Sequence, residues 1–585
     1  MPAYSDLVWI IPILYGCIFL LGLTIGRSNQ STMVASSLIL SAAACVIAIG
    51  VIWERTRIQA EDYSFDFDWL IVGDTIYRIG YELNNLSAWL LILITGVNLL
   101  LLCLLYHKEA KQELASIYGY IGLLLFAASG LVLADHMLTF LACAILMNCS
   151  IFLLLSHPVY GSKPKAAFRY ITAQLFGYVV FFIALTGLYW YMPNHSLQFT
   201  MIETIFSGPA LDFTYRMKVI IAGAFVVSAL LLSGMFPYTY WMKHVEMERP
   251  ILRVVIYCFG NALLPVYILL RFQVIITGVN DVMLLCKVVG ATAVIWCTLR
   301  MLFNAQQALV YIGMILIGMI IYAYGHEAYA YVLIQLTVIM LSIIVIYGSI
   351  LQASSTVVFG AFLIAVLTLI GVPPLGGYWM QQSLVATIGA ESNGWYVVTL
   401  LVVMCSALAS TIYFTTYWKK QFKLTRRGII AIVAWPSLLL IVLGLLWLVN
   451  SDRMELWLFG RVTMESMRLV PMLLTMLSVA IGVVIAWLFS ERITEAFSSS
   501  LHNIDERFRH YAEKLSAKIV RLGSLIVRFG QLIERVIVQI LTVWLPYPFR
   551  NISRAGAQAS NWISIGMVAA ITVLVTALWY GLRGG

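Results

Sequence analysis

Windows of about 20 mostly apolar residues recur along almost the whole chain, and a helix needs a window of that length to cross a bilayer. We count roughly sixteen such windows, from residues 7–26 near the start to residues 563–582 near the end. Hydrophobic residues make up 62% of the chain and charged residues only 11%, which excludes a soluble globular protein. The sequence therefore predicts an all-α polytopic membrane protein with about 16 transmembrane helices.

Residues 64–83 break this pattern, because apolar and polar side chains alternate there around Gly73 and Asp74. Alternation with a period of two, centred on a turn sequence, is typical of a β-hairpin. We expect a hairpin outside the membrane, between the second and third spans.

Charge and cysteine usage narrow the function and the location. The net charge is +9, but the basic residues lie in short loops between spans, a pattern that orients membrane proteins and does not indicate nucleic acid. The nine cysteines lie in apolar segments without metal-ligand spacing. No nucleotide loop or hydrolase triad is present. We therefore expect no metal and no cofactor, a bacterial cytoplasmic membrane location, and both termini on the outer side.

The stretch from Ile504 to Leu545 carries apolar residues at spacings of three and four, with basic residues off that stripe. This pattern predicts one amphipathic helix, and at 1.5 Å per residue it would be very roughly 60 to 75 Å long. Such a helix could brace a neighbouring subunit, or it could lie on anionic lipid.

Three motifs carry a family resemblance. They are the series Pro237, Trp241, Pro250, Val266-Tyr267 and Arg271, the sequence LVLAD at residues 131–135, and the sequence GVPPLGGYW at residues 371–379. Together with the long helix, they resemble the antiporter-like membrane subunits of respiratory complex I, above all subunit L. Relatives of that subunit occur in membrane-bound hydrogenases, Mrp-type antiporters and inorganic-carbon uptake complexes.

The resemblance implies two inverted repeats of five helices, each with one interrupted helix, at Pro237 and at Pro373-Pro374. It also implies a lateral helix that contacts other membrane subunits. The expected domains are an N-terminal region with the hairpin (1–114), the two repeats (115–276 and 277–420), two further spans (421–490), the lateral helix (491–555) and a last span (556–585).

The same resemblance implies a row of charged residues that moves protons at mid-membrane depth, and this chain lacks them. Uncharged side chains stand at all five family positions: Ile145, Leu232, Tyr257, Ile339 and Gln381. Four of these cannot titrate, and tyrosine titrates only near pH 10. The sequence predicts a degenerate proton path.

Other polar residues remain candidates for an ion path. Lys287 could be a relocated proton site or a lysine that reaches the membrane interface, and Arg169 could be a family base or an interfacial anchor. The pairs Asp135-His136 and His326-Glu327 could admit protons, although solvated loop ends are the simpler interpretation. Asn148, Gln174, Asn261 and Gln335 could hold water or bond between helices.

Three functions fit these observations. The first is a subunit of a complex-I-like, ion-translocating assembly with a degenerate path of its own. The second is the membrane subunit of an inorganic-carbon uptake complex, and the third is a scaffold without conduction.

Overall fold

The computed structural model describes residues 4–24, 29–58, 63–72, 75–108, 114–157, 164–192, 197–207, 215–235, 242, 250–303, 308–351, 356–391, 393–421, 434–459 and 469–489. All of them belong to the first of two compact units, Met1–Asp505. The predicted lateral helix, the last span, Pro237 and Trp241 lie outside the described residues.

The first half of the chain consists mainly of long apolar helices. They are α1 (Ile10–Thr24), α2 (Gln30–Ile58), α3 (Asn85–Lys108), α4 (Leu114–Leu133), α5 (Met137–Ser156), α6 (Pro164–Tyr191), a short α7 (Phe199–Ser207) and α8 (Tyr215–Leu232). Span eight consists of α9 (Pro250–Val255), a π-helical segment (Ile256–Leu263) and α10 (Leu264–Arg271).

The second half continues with α11 (Gln273–Ile276), α12 (Asn280–Phe303), α13 (Ala308–Gly325), α14 (Tyr329–Leu351), α15 (Thr356–Ile370), α16 (Gly376–Glu391), α17 (Asn393–Gln421), α18 (Ala434–Phe459) and α19 (Leu469–Phe489). Among the described residues, 11 helical stretches are long and apolar enough to cross a membrane, and four shorter apolar helices accompany them. The prediction of a polytopic helical membrane protein is confirmed.

The predicted hairpin is present. Strand β1 (Tyr63–Val72) pairs with β2 (Thr75–Leu83) in antiparallel register. The end of β2 is tied to the helices, because Tyr81 bridges Ala134 and the N–H of Asp135 donates to the carbonyl of Gly80 over 3.2 Å. The hairpin therefore covers the end of the bundle where α4 ends and α5 begins.

The helical interruptions lie partly where the sequence predicted them. α15 and α16 are separated at Gly371–Leu375, with Gly371 at a φ of 85° and a cis bond between Pro373 and Pro374. α8 ends at Leu232 and is followed by Gly234 at a φ of 64°, a conformation that glycine adopts without strain. The π-helical segment within span eight was not predicted.

Candidate functional site

A closed network of neutral side chains joins α5 and α6. The Nδ2 of Asn148 donates to the hydroxyl of Tyr178 over 2.6 Å, and its Oδ1 accepts from the hydroxyl of Tyr170. The hydroxyl of Tyr178 in turn donates to the carbonyl of Ala144 over 2.6 Å. All these side chains are buried, so the polar groups satisfy one another without a charge.

Gln174 extends this network to α8. Its Oε1 lies 3.5 Å from the Nδ2 of Asn148, and its Nε2 donates to the carbonyl of Leu232 over 3.3 Å. The last carbonyls of a helix lack intrahelical partners. Gln174 therefore caps α8 at the point where the helix ends, and of the two interpretations left open for Asn148 and Gln174, the interhelical hydrogen bond is the one seen.

The side chain of Leu232 fills the space beside this network. It is fully buried, and a Cβ placed on Gly177 would lie 2.6 Å from its Cδ2. Ile145, in contrast, is 40% exposed and lies on the outer face of α5. Ala144 and Asn148 form the inward face of α5 instead.

The π-helical segment places Tyr257 and Asn261 against both halves of the bundle. A Cβ on Gly260 would lie 2.9 Å from the hydroxyl of Tyr170, so the segment abuts the neutral network. The ring of Tyr257 stacks on that of Tyr347 in α14 with centroids 6.3 Å apart. Asn261 is fully buried, and its Nδ2 lies 3.3 Å from the Sδ of Met242.

Neutral side chains continue into the second half. Ile339 is buried on α14, as is Gln335. Gln381 lies at the helix interruption, where its amide occupies the place that a Cβ on Gly371 would need. The amide of Gln382 is also buried, and neither its oxygen nor its nitrogen has a hydrogen-bond partner among the described residues.

Lys287 and His326 meet around one tryptophan. The Nζ of Lys287 lies 5.8 Å from the ring centroid of Trp395, and the ring of His326 lies 5.5 Å from the same ring. Lys287 is half-buried, whereas His326 is only 2% exposed. A solvated loop end is therefore wrong for His326, while the half-buried Glu327 follows it in the left-handed region, with a φ of 59°.

Asp135 and His136 are also buried, at 1% and 6% exposure. The Oδ2 of Asp135 accepts from the Nε2 of Gln198 over 2.7 Å, and the Nδ1 of His136 accepts from the N–H of Leu138 at the start of α5. Burial lowers the pKa of His136 to about 4. The hairpin carbonyl of Gly80 accepts from the N–H of Asp135, and residues 197–199 pair with residues 135–137, so the expectation of solvated side chains is wrong here too.

A buried ion pair lies at the same end of the bundle. Arg271, the last residue of α10, bonds to Glu82 at the end of β2, and both side chains are nearly inaccessible. Its Nη1 also lies 3.5 Å from Glu203, whose side chain is 44% exposed. This pair fastens the hairpin to span eight.

The buried Asp, Glu, Arg and His side chains are thus distributed unevenly along the helices. Within the described ranges, the buried Asp, Glu, Arg and His residues all lie near helix or strand ends: Arg55, Glu82, Asp135, His136, Arg271, His326 and Glu455. Arg169 is half-buried near the start of α6. No group of three potential metal ligands occurs among the described residues. The middle of the described bundle is polar in places but uncharged.

Sequence reasoning missed the two tyrosines that complete the network. Tyr170, Gln174 and Tyr178 follow one another at intervals of four on α6, a spacing that places them on one helix face. That pattern, together with Asn148 on the preceding span, is the signal that could have identified the site.

No protein-family model matches the sequence. Curated relatives share low identity with it over most of its length. Subunit 5 of the chloroplast NAD(P)H-quinone oxidoreductase of Zygnema circumcarinatum is 24% identical over 474 residues, which are 73% of this chain and 66% of the relative. Chain 5 of the enzyme from Synechocystis is 22% identical over 465 residues, 71% of this chain and 67% of the relative. The chain spans about two thirds of the length of the relatives it matches.

Solved structures show the same fold at lower identity. A chain of the Mrp complex from Dietzia has a TM-score of 0.71 at 15% identity, covering 92% of this chain and 63% of that one. A chain of the archaeal membrane-bound sulfane sulfur reductase has a TM-score of 0.61 at 15% identity, covering 83% of this chain and 99% of that one.

Proposed function

The homologues of this chain are subunit 5 of the NAD(P)H-quinone oxidoreductases, and we propose that the chain is an antiporter-fold membrane subunit of a multisubunit, ion-translocating, energy-converting complex. Its own proton path is degenerate, and its contribution to the assembly is largely structural. The named relatives and the fold support the first part of this proposal, and the chemistry of the bundle interior supports the second.

The observation that carries the second part is the absence of buried charge at mid-depth within the described ranges. An ionisable group in a membrane interior is costly and marks proton or ion pathways. Here Leu232 packs on Gly177 where the family resemblance implies a lysine. The hydrogen bonds of Asn148 and Tyr178 are directed at each other and at a backbone carbonyl, which leaves them committed to structure.

The partners proposed for this chain are other membrane subunits, reached through a lateral helix in residues 491–555. The proposed location is a bacterial cytoplasmic membrane, and the basic loops support an orientation with both termini outside. The proposed span count of about 16 includes residues 563–582, which lie outside the described part of the chain.

Purification of the full chain in a mild detergent, with identification of the co-purifying chains, tests the assignment. We expect several other membrane proteins in fixed stoichiometry. A chain that purifies alone from its native membrane would contradict it, and a zinc-containing cytoplasmic partner would assign the chain to an inorganic-carbon uptake complex.

Proton flux through the reconstituted assembly tests the degenerate path. We expect Tyr257→Phe and Gln381→Leu to leave the flux within twofold of the wild type. A large loss of flux with unchanged subunit composition would show that a path still crosses this subunit.

A further inference from the structure

The strongest unassigned feature is a cavity at the hairpin end of the bundle, between α2, α3 and α18. It has a volume of about 620 Å³, and its wall includes Arg55, Arg453, Asn85, Trp89 and Trp457. A second cavity of about 390 Å³ shares Asn85 and Trp457 with it. Nothing in the proposed function uses either of them.

The first cavity lies where the membrane interface would be. Arg55 is in the last turn of α2, Asn85 begins α3, and Trp457 is in the last turn of α18. Tryptophan and arginine side chains at helix ends are typical of the headgroup layer of a bilayer. The cavity is therefore within reach of lipid headgroups.

The polar part of the wall carries positive charge. Its ionised side chains are two arginines, and no acidic residue lines it among the described residues. Arg55 is only 1% exposed and is held in place by Asn85, whose Oδ1 accepts from its Nε over 2.7 Å, and by the carbonyl of Leu83, which accepts from its Nη1 over 2.9 Å. Arg453 lies one turn before Trp457 on the same face of α18.

The indole of Trp457 is a second, independent indication of a ligand. Its Nε1 is buried and has no hydrogen-bond partner among the described residues, whereas a buried indole N–H usually finds one. The carbonyl of the same residue is engaged, because it accepts from the Nδ2 of Asn85 over 2.6 Å. The orientation of the residue is thus fixed while its donor is available.

The remainder of the wall is apolar. Ile52, Met454 and Leu456 line it together with the ring of Trp89. Free phosphate would leave such an apolar surface exposed to water, whereas the first methylenes of an acyl chain would cover it. Basic pockets between transmembrane helices on the cytoplasmic side bind anionic headgroups in this way, and the same pairing of basic and apolar wall is present here at the hairpin end.

We propose that this cavity binds the anionic headgroup of a phospholipid, with its phosphate between Arg453 and the indole N–H of Trp457. The lipid then fastens α18 to α2 and α3 at the hairpin end. This assignment does not depend on whether the subunit conducts ions.

Thermal unfolding of the purified full chain in detergent, titrated with phosphatidylglycerol, tests the proposal. We expect a saturable rise in the melting temperature. Arg453→Gln should raise the concentration needed for half of that rise about tenfold, the usual scale for losing a charge-assisted hydrogen bond, and Trp457→Phe should raise it several-fold. The matched control is Arg57→Gln, because Arg57 is exposed in the same last turn of α2 and stacks on Trp53.

Phosphatidylcholine and inorganic phosphate form the other two arms. Both should produce little stabilisation at concentrations where phosphatidylglycerol saturates. Equal stabilisation by phosphatidylcholine would leave only an apolar groove, and equal stabilisation by phosphate would leave a small-anion site. Either result, or an Arg453→Gln variant with unchanged titration, would overturn the proposal.

Discussion

Leu232 and Gly177 show at the level of single residues how a charged position becomes a packing position. The leucine is fully buried, and its branch occupies the space that the missing side chain of Gly177 leaves open. A lysine there would need a charged or hydrated partner, and the neighbouring Gln174 already bonds to the backbone of α8.

Replacing Leu232 with alanine should therefore affect stability and not conduction. Truncating a buried leucine costs about 2 to 5 kcal/mol, which should appear as a lower melting temperature with unchanged ion flux of the assembly. Leu175→Ala is the matched control, since Leu175 lies on the neighbouring helix and is 51% exposed. Equal losses of stability in the two variants would contradict the packing argument.

His136 should make stability depend on pH. Its pKa in the folded protein is lowered to about 4, against about 6.5 in the unfolded chain, so the unfolded state binds the proton between these values. The stabilisation is complete above pH 6.5 and is lost as the pH falls toward 4. At pH 5 the free energy of unfolding should be lower than at pH 7 by about 2 kcal/mol from this residue.

Melting temperatures at pH 5 and pH 7 measure this effect. His136→Asn keeps a residue that can begin a helix and should remove this part of the pH dependence. If the variant and the wild type lose the same stability on acidification, the burial of His136 is not its source.

The sequence identified the neutral residues at the positions where the resemblance implies charges, but not the direction of every side chain. Positions 232, 257, 339 and 381 carry neutral residues by simple inspection, and all four side chains are buried. The exposure of Ile145 was not predictable, because a residue's face depends on which neighbouring helices surround it. The solvated interpretation of Asp135 and His136 was wrong because segments distant in sequence, Gly80 of the hairpin and residues 197–199, bond to this stretch.

At the level of elements, the hairpin connects the ends of several helices. Strand β2 contacts the end of α4 through Tyr81, and its Glu82 bonds to Arg271 at the end of α10. The carbonyl of Leu83 accepts from Arg55 near the end of α2. One strand therefore sets the relative positions of three spans.

Breaking the buried ion pair should be far more costly than breaking its exposed branch. Glu82→Gln leaves the buried Arg271 with only the half-exposed Glu203 as an anionic partner, and losing one partner of a buried pair costs about 3 to 5 kcal/mol. Glu203→Gln removes a half-exposed carboxylate from the same arginine and should cost under about 1 kcal/mol. The test compares the melting temperatures of the two variants. A similar decrease for both would contradict the proposal that the Arg271–Glu82 pair fastens the hairpin to the helices.

The interruption between α15 and α16 depends on close backbone contact. A Cβ on Gly377 would overlap the carbonyl of Thr368, whereas a Cβ on Gly360 in the same span would meet nothing within 4 Å. Gly377→Ala should therefore lower stability by about 1 to 3 kcal/mol or more. Gly360→Ala should raise stability by up to about 1 kcal/mol, because alanine favours a helix. Thermal unfolding measures both effects. If the contact of Gly377 were unimportant, the melting temperatures of both variants would shift with the same sign.

The sequence predicted where helices and strands begin and end better than it predicted irregularities within a helix. Apolar windows and turn residues located the spans and the hairpin closely, since both patterns reflect burial of local segments. The π-helical segment has no such signal, because Ile256–Leu263 is mostly apolar and is buried throughout. Only packing against α5, α6 and α14 distinguishes it from an ordinary helix.

At the scale of the whole molecule, we expect the bundle and the long amphipathic stripe to have different roles. Within the described residues the bundle has its own buried core and needs no partner to explain it. The stripe from Ile504 to Leu545 lies outside those residues, and its length favours a surface provided by another protein or by lipid.

Replacing residues 503–545 with a short flexible linker should release a partner subunit while the preceding spans still insert. The measurement is the composition of the complex after purification in mild detergent, beside a control in which the same segment is kept and only its basic residues are made neutral. Retention of every partner after the replacement would leave binding to the lipid surface as the role of the stripe.

The π-helical segment has a consequence for how span eight can be read and altered. Each hydrogen bond of a π-helix joins residues five apart, where an α-helix joins residues four apart. The segment therefore accommodates an extra residue in the middle of the span. Each residue of an α-helix turns the chain through about 100°. The side chains of α10 are therefore rotated about the helix axis, relative to those of α9, from the positions that one continuous α-helix would give them. Tyr257 can thus lie against α14 while Arg271 still meets the hairpin, an arrangement in which each half of the span keeps its own register.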